Sequence, residues 1–276
     1  MRYLFLFSLF AWAALCTKPA QAQKPLRIAF LSDTHTNSNT TGDQPLYKAH
    51  LEEVIQQVNA TGVDVVLIAG DLTQGGKAEE MEDFKKQIAA FKAPVLYVPG
   101  NHDIGNKHYT GGTNPVNTVP IAHYEATLGR SFDSWVISGV RILGVNSPIL
   151  GSGLPHEADQ WKFLEKELAV PSSKPTIVFM HYPPYVTSTD EPGGNYHNVE
   201  PEPRARLLKL LKQGGVRTLL TAHLHRPLTN RYEGLFIYTT PPVSFGLPAG
   251  KQPEGWTLVT LPPAGEPQIE FRAVKH

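Results

Sequence analysis

Along the chain, short apolar runs alternate with stretches whose apolar positions recur every three or four residues. Leu26–Ser32, Asp64–Ala69, Pro94–Val98, Thr176–Met180 and Val216–Thr221 are apolar runs of strand length. Between them, Leu46–Ala60 places Leu51, Val54, Ile55 and Val58 on one helical face. Ala78–Phe91, His156–Leu168 and Glu202–Gln213 also predict helices. A Gly- and Asn-rich loop from Gly100 to Pro120 precedes a short helix near Ile121–Leu128. Ser131–Ile137 and Val140–Asn146 predict a hairpin turning at Ser138-Gly139. From Leu228 to Val274, runs such as Leu235–Thr239, Trp256–Leu261 and Gln268–Phe271 predict further strands. The alternation of β and α suggests a largely parallel sheet flanked by helices. The β-rich tail suggests a second sheet packed on the first.

The N-terminus follows a different pattern. Arg2 gives a positive start, Tyr3 to Cys16 is almost wholly apolar, and Ala20-Gln21-Ala22 offers a small-x-small cleavage site. This is the layout of a secretory signal peptide, and the run is short for a membrane span. The expectation is cleavage after Ala22, export to the periplasm or the medium, and one enzymatic domain over 23–276. Cys16 after an apolar run raises a lipoprotein as a weaker alternative, because Leu15 is bulky for that signal.

Composition narrows the chemistry. The 276-residue chain is 41% hydrophobic and 18% charged, with formal charge +0. Loss of residues 1–22 leaves 23 basic against 25 acidic residues, a charge of −2. Neither value suits a protein that binds nucleic acid as a polyanion. The single cysteine, Cys16, leaves with the leader. The mature chain then has no thiolate nucleophile, and a metal site must use His, Asp, Glu or Asn.

Five of the apolar runs end in polar residues of that kind. They lead into Asp33-Thr34-His35, Gly70-Asp71, Gly100-Asn101-His102-Asp103, His181 and His223-Leu224-His225. In α/β sheets, ligands bind at the carboxyl ends of strands. Residues i and i+2 of an extended segment share a side, so Asp33 with His35, and His223 with His225, can face one cavity. Taken singly, each motif reads as a turn former, a helix cap or a surface histidine. Five in this order reverse that reading.

This series resembles the signature of calcineurin-like metallophosphoesterases over essentially the whole mature length. Pro99–Asn106, Ser131–Ser147, Asp159–Leu168 and Gly246–Gly255 are most similar to the branch of calcineurin-like phosphoesterase domain-containing protein 1. The last motif departs by one residue, with Ala222 where the family usually has Gly. The resemblance implies a four-layer α-β-β-α sandwich of two packed mixed sheets, with the metal site at strand carboxyl ends. It implies two divalent cations (Mn, Fe or Zn), with Asp33, His35 and His225 on one, Asn101, His181 and His223 on the other, and Asp71 bridging. It implies that His102 faces the phosphate as an acid or charge stabiliser and that Asp103 orients it. The implied reaction is phosphate-ester hydrolysis by a hydroxide shared between the metals, so no protein nucleophile is needed. Phosphomonoesters lead, with phosphorylated Ser or Thr in peptides as candidates. Cyclic nucleotides or other phosphodiesters are the near alternative, and an inactive metal-binding module is the distant one.

Two loops stay open at this point. Thr187–Val199, after His181, reads equally as an overhang that selects substrate or as a solvent loop. Lys107–Asn117 poses the same question.

Overall fold

The computed structural model describes residues 24–38, 41, 42, 44–172 and 174–275. The expected leader lies outside the described residues. Eleven strands and six α-helices are described: β1 Leu26–Leu31, α1 Gln44–Thr61, β2 Val65–Ala69, α2 Ala78–Ile88, β3 Val95–Val98, α3 Asn101–Ile104, α4 Thr118–Leu128, β4 Asp133–Ile137, β5 Val140–Val145, α5 Pro155–Glu167, β6 Thr176–Met180, α6 Pro201–Gln213, β7 Thr218–Thr221, β8 Leu228–Tyr232, β9 Leu235–Thr239, β10 Gly255–Leu261 and β11 Gln268–Ala273. Among the described residues, no helix is long and apolar enough to cross a membrane.

The strands form two mixed sheets, ordered β11-β10-β1-β2-β3 and β4-β5-β6-β7-β9-β8. β1, β2 and β3 are parallel, as are β5, β6, β7 and β9. The antiparallel strands β10, β11, β4 and β8 lie outside these parallel cores. The tail therefore does not make the second sheet, as its pattern suggested. It divides: β8 and β9 extend one sheet, and β10 and β11 extend the other. Trp256 and Val259 of β10 are fully buried, so that strand needs cover on both faces, which a central position beside β1 provides.

Side-chain alternation along the strands builds four layers. Ile28 and Phe30 of β1, Leu67 and Ala69 of β2, and Ile177 and Phe179 of β6 meet between the sheets. Their alternate neighbours face outward. Ala29, Leu31, Val66 and Ile68 pack with Leu51 and Val54 of α1 and Phe84 of α2. Val178 and Met180 pack with Leu164 of α5 and Leu207 and Leu211 of α6. Strands that are apolar on both faces are what a sheet covered on both sides requires. The result is the α-β-β-α sandwich. It brings the carboxyl ends of β1, β2, β3, β6 and β7 to one edge.

Candidate active site

Side chains after four of these strands, β1, β2, β6 and β7, converge in two buried clusters. One is Asp33, His35, Asp71 and His225, and the other is Asp71, His181 and His223. Within each, one ligand atom per residue lies within 4.8 Å of all the others. Asp71 belongs to both. Its Oδ1 accepts from the His102 amide at 2.8 Å, and its Oδ2 lies 3.3 Å from His181 Nε2 and 3.9 Å from His35 Nε2.

The backbone that presents them is not extended. Asp33, His35, Asp71, His223 and His225 all have positive φ, between 45° and 73°. They are five of the eight non-glycine residues with positive φ among those described. The pairing of i with i+2 thus succeeds for a different reason: left-handed residues turn the chain and aim each side chain inward. Such conformations cost about 1–3 kcal/mol each and persist only where neighbours enforce them. Here the enforcement is a ladder that continues past β1 and β2. The amides of Asp33, His35 and Thr36 donate to the carbonyls of Gly70, Asp71 and Leu72 at 3.0, 3.0 and 2.9 Å.

Hydrogen bonds outside the clusters fix which nitrogen each ring turns inward. His181 Nδ1 pairs with the Ala69 carbonyl at 2.8 Å, and His225 Nδ1 with the Phe245 carbonyl at 2.5 Å. A carbonyl only accepts, so both rings hold a proton at Nδ1 and point Nε2 into the site. There the inner atoms crowd together: His35 Nε2 to His225 Nε2 is 3.4 Å, His223 Nδ1 to His181 Nε2 is 3.1 Å, and His181 Nε2 to Asn101 Oδ1 is 3.0 Å. Nitrogen and oxygen lone pairs converging on two carboxylates suit divalent cations of intermediate hardness. This set fits two ions, with Asn101 Oδ1 beside the second cluster.

Electrostatics agree. Burial pushes the Asp33 carboxyl up, but the charge and hydrogen bond of His225 outweigh it and hold the group at about 2. Burial acts likewise on Asp71, and His181, His102 and His35 hold it well below the usual carboxylate range. Burial drives His35 down to about 4 and His223 well below the imidazole range. It opposes protonation of His181 too, yet Asp71 beside it raises that ring to about 9. Both buried carboxylates are thus ionised, the form that binds cations.

His102 and Asp103 lie on α3, a single helical turn rather than an extended loop. His102 Nδ1 pairs with the Gln74 carbonyl at 2.7 Å. The expected orienting contact from Asp103 is corrected by this geometry. Its carboxylate instead accepts from the amides of Leu72, Thr73 and Gly100 and from Thr73 Oγ1, at 2.7–3.1 Å. The helical turn rotates consecutive side chains by about 100°, so Asp103 faces the β2 loop while His102 faces the cavity. Asp103 thus holds Leu72 and Thr73, next to the Gln74 carbonyl that pairs with His102. Burial and the nearby Asp71 raise its carboxyl to about 6.

The departure at Ala222 is harmless. Ala222 is fully buried between the sheets, and its amide donates to the His181 carbonyl at 2.9 Å. Sequence reasoning missed Gln74, Phe245 and the Ala69 carbonyl, which act largely through backbone atoms that any residue could supply. Tyr196, in the 187–199 insertion that could overhang the site, does reach it: its hydroxyl accepts from Asn101 Nδ2 at 3.1 Å. With Gln74, Asn106, Asn114 and His102, Tyr196 lines a cavity of about 230 Å³ beside the clusters.

Two packed mixed sheets with an Asp/His cluster for two metals at their strand ends define a metal-dependent hydrolase of phosphoesters. Residues 26–227 match the family described as calcineurin-like phosphoesterase, and the chain belongs to that family. It is 28% identical over 227 residues to the serine/threonine-protein phosphatase CPPED1 of Homo sapiens, covering 76% of this chain and 68% of that protein. It is 25% identical over 245 residues to the 3',5'-cyclic adenosine monophosphate phosphodiesterase CpdA of Escherichia coli (strain K12), covering 83% and 80%. A dimetal phosphatase from Danio rerio shares the fold with a TM-score of 0.62 at 11% identity, over 91% of this chain and 96% of that one.

Proposed function

We propose that this protein hydrolyses phosphomonoesters at a pair of divalent metal ions. The observation that carries this reading is the sharing of one buried carboxylate, Asp71, by two ligand clusters beside a cavity that His102 lines. Asp33, His35 and His225 hold one ion, and Asn101, His181 and His223 hold the other. Ions bound there supply the Lewis acidity that activates a water nucleophile and offsets phosphoryl charge.

The chain's own residues supply the rest. Asp71 carries the negative charge that lets two cations lie close together. His102 keeps one ring nitrogen on the Gln74 carbonyl, which leaves Nε2 for the substrate. Protonated, Nε2 gives its proton to the departing ester oxygen. Residues 1–22 direct export, and the mature enzyme acts in the periplasm or outside the cell.

The human relative's name, a serine/threonine-protein phosphatase, supports a monoester and makes phosphoseryl and phosphothreonyl peptides the first substrates to try. The Escherichia coli relative's name supports a second reading, hydrolysis of a cyclic nucleotide diester. A panel of 4-nitrophenyl phosphate, a phosphothreonyl peptide, bis(4-nitrophenyl) phosphate and cyclic AMP, each with added Mn²⁺, separates the two. Faster monoester turnover supports the first reading, and faster diester turnover replaces it with the second.

A further inference from the structure

Tyr196 belongs to the segment between β6 and α6 that could overhang the site or merely face solvent. Two acids anchor this segment. The Glu191 carboxylate accepts from the amides of Val186, Thr187 and Ser188 and from Thr187 Oγ1, and it pairs with Arg204 of α6 at 3.9 Å. Glu200 binds the buried Lys107 and accepts from the Gly194 amide at 3.0 Å. Lys107 in turn lies 4.5 Å from the Tyr109 ring centre, and Tyr109 packs on Tyr196 at 6.2 Å. The two open loops therefore brace each other, and what they brace is Tyr196. Its ring centre is 4.8 Å from that of His223, and its hydroxyl lies 3.1 Å from Asn101 Nδ2.

A carboxamide has two ends of nearly the same shape, and only the oxygen end has lone pairs for a cation. Turned the wrong way, Asn101 would present two N–H donors to the ions and repel them. A partner on the outer side holds the carboxamide in place, so that its oxygen can stay turned inward. Tyr196 is such a partner, and Asn101 Oδ1 is indeed turned to His181 Nε2, at 3.0 Å.

We propose that Tyr196 is a positioning residue for the second metal ion: by accepting from Asn101 Nδ2 it holds the Asn101 side chain in place with Oδ1 towards His181. This rests on the reading of Asn101 as a metal ligand. The 187–199 segment is then part of the metal centre.

The test is calorimetric titration of Mn²⁺ into chelator-stripped full-length protein, with no turnover measured. The parent should take up two ions per chain. Tyr196→Phe removes the hydroxyl and keeps the ring. It should bind one ion with the parent's affinity and the other about 10–100-fold more weakly, the usual effect of losing a partner that orients a ligand. Asn101→Ala supplies the control, because it leaves no carboxamide for Tyr196 to hold. In that background the Tyr196→Phe change should cost less than about threefold. The melting temperature of each stripped variant shows that it is folded. Parent-like affinity for both ions in Tyr196→Phe would overturn the inference, as would an equal loss in the Asn101→Ala background. Asn101→Ala with both affinities intact would remove the ligand assignment underneath it. Two ions bound without ester turnover would strike the proposed function alone.

Discussion

The imidazole of His181, at the end of β6 in one sheet, pairs through Nδ1 with the carbonyl of Ala69, at the end of β2 in the other, at 2.8 Å. This hydrogen bond links the two sheets at the ligand clusters and turns Nε2 towards Asp71. The approach is close because side chains are missing around it. A Cβ on Gly70 would meet His181 Nδ1 at 2.7 Å, and a Cβ on Gly100 would meet Asp71 Oδ1 at 2.1 Å.

Gly100→Ala should therefore displace Asp71. Overpacking of this kind costs about 1–3 kcal/mol. Because both clusters share Asp71, the variant should lose both ions together. Elemental analysis and thermal melts check this, and parent-like metal content would contradict it.

Asp71→Asn and His181→Ala should differ in metal content and agree in activity. The first removes the shared negative charge and should release both ions. The second removes one ligand and should release only the ion shared with Asn101 and His223. Turnover should be abolished in both. Full activity with unchanged metal content in either variant would reject the assignment.

His102→Ala should separate chemistry from metal binding, since His102 lines the cavity but is outside both ligand clusters. Both ions should remain while the rate falls by about 10²–10⁴-fold. The defect should shrink for nitrophenyl esters, whose leaving oxygen needs little protonation. Loss of an ion would make His102 a ligand, and parent-like rates on alkyl phosphates would make it structural.

Glu191 gives the bracing segment a pH dependence. Burial raises its carboxyl, but the hydrogen bonds from Thr187, Val186 and Ser188 win and hold it at about 2, against an ordinary 4.5. A depressed carboxyl stabilises the fold above its unfolded value, and that contribution is lost as pH falls through the folded value. Glu191→Gln should thus lower stability by about 1.5–3 kcal/mol near pH 7, the range for hydrogen bonds to a charged group. The gap between variant and parent should narrow between about pH 4.5 and 2. Melts of the chelator-stripped proteins across that range measure it, and a gap that does not change with pH would contradict the role.

Export is checked at the N-terminus. Mass spectrometry of material recovered outside the cytoplasm should find a chain beginning at or near Gln23. An intact Met1 there would contradict the leader.

Much of this was legible in the sequence, for physical reasons. Each site residue follows a run such as Val65–Ala69, and a strand with no polar residue until its end announces both burial and the place where chemistry begins. The five motifs survive as separate signals because five strands each deliver one. Sheet membership was not legible: nothing in the tail's period-two pattern says whether β9 pairs with β7 or β10 with β1. The local backbone was also misread, since an Asp-x-His triplet does not show that both ends will be left-handed. Tyr196 could be suspected only as part of an insertion, because its partner Asn101 is 95 residues away in sequence.

The most direct measurement is turnover of 4-nitrophenyl phosphate by chelator-stripped protein as Mn²⁺ is added one equivalent at a time. Hydrolysis should be absent without the ion, remain low through the first equivalent and level off at two ions per chain. A plateau at one ion, turnover that ignores the metal, or two bound ions without hydrolysis of this ester would contradict a phosphomonoesterase built around Asp71.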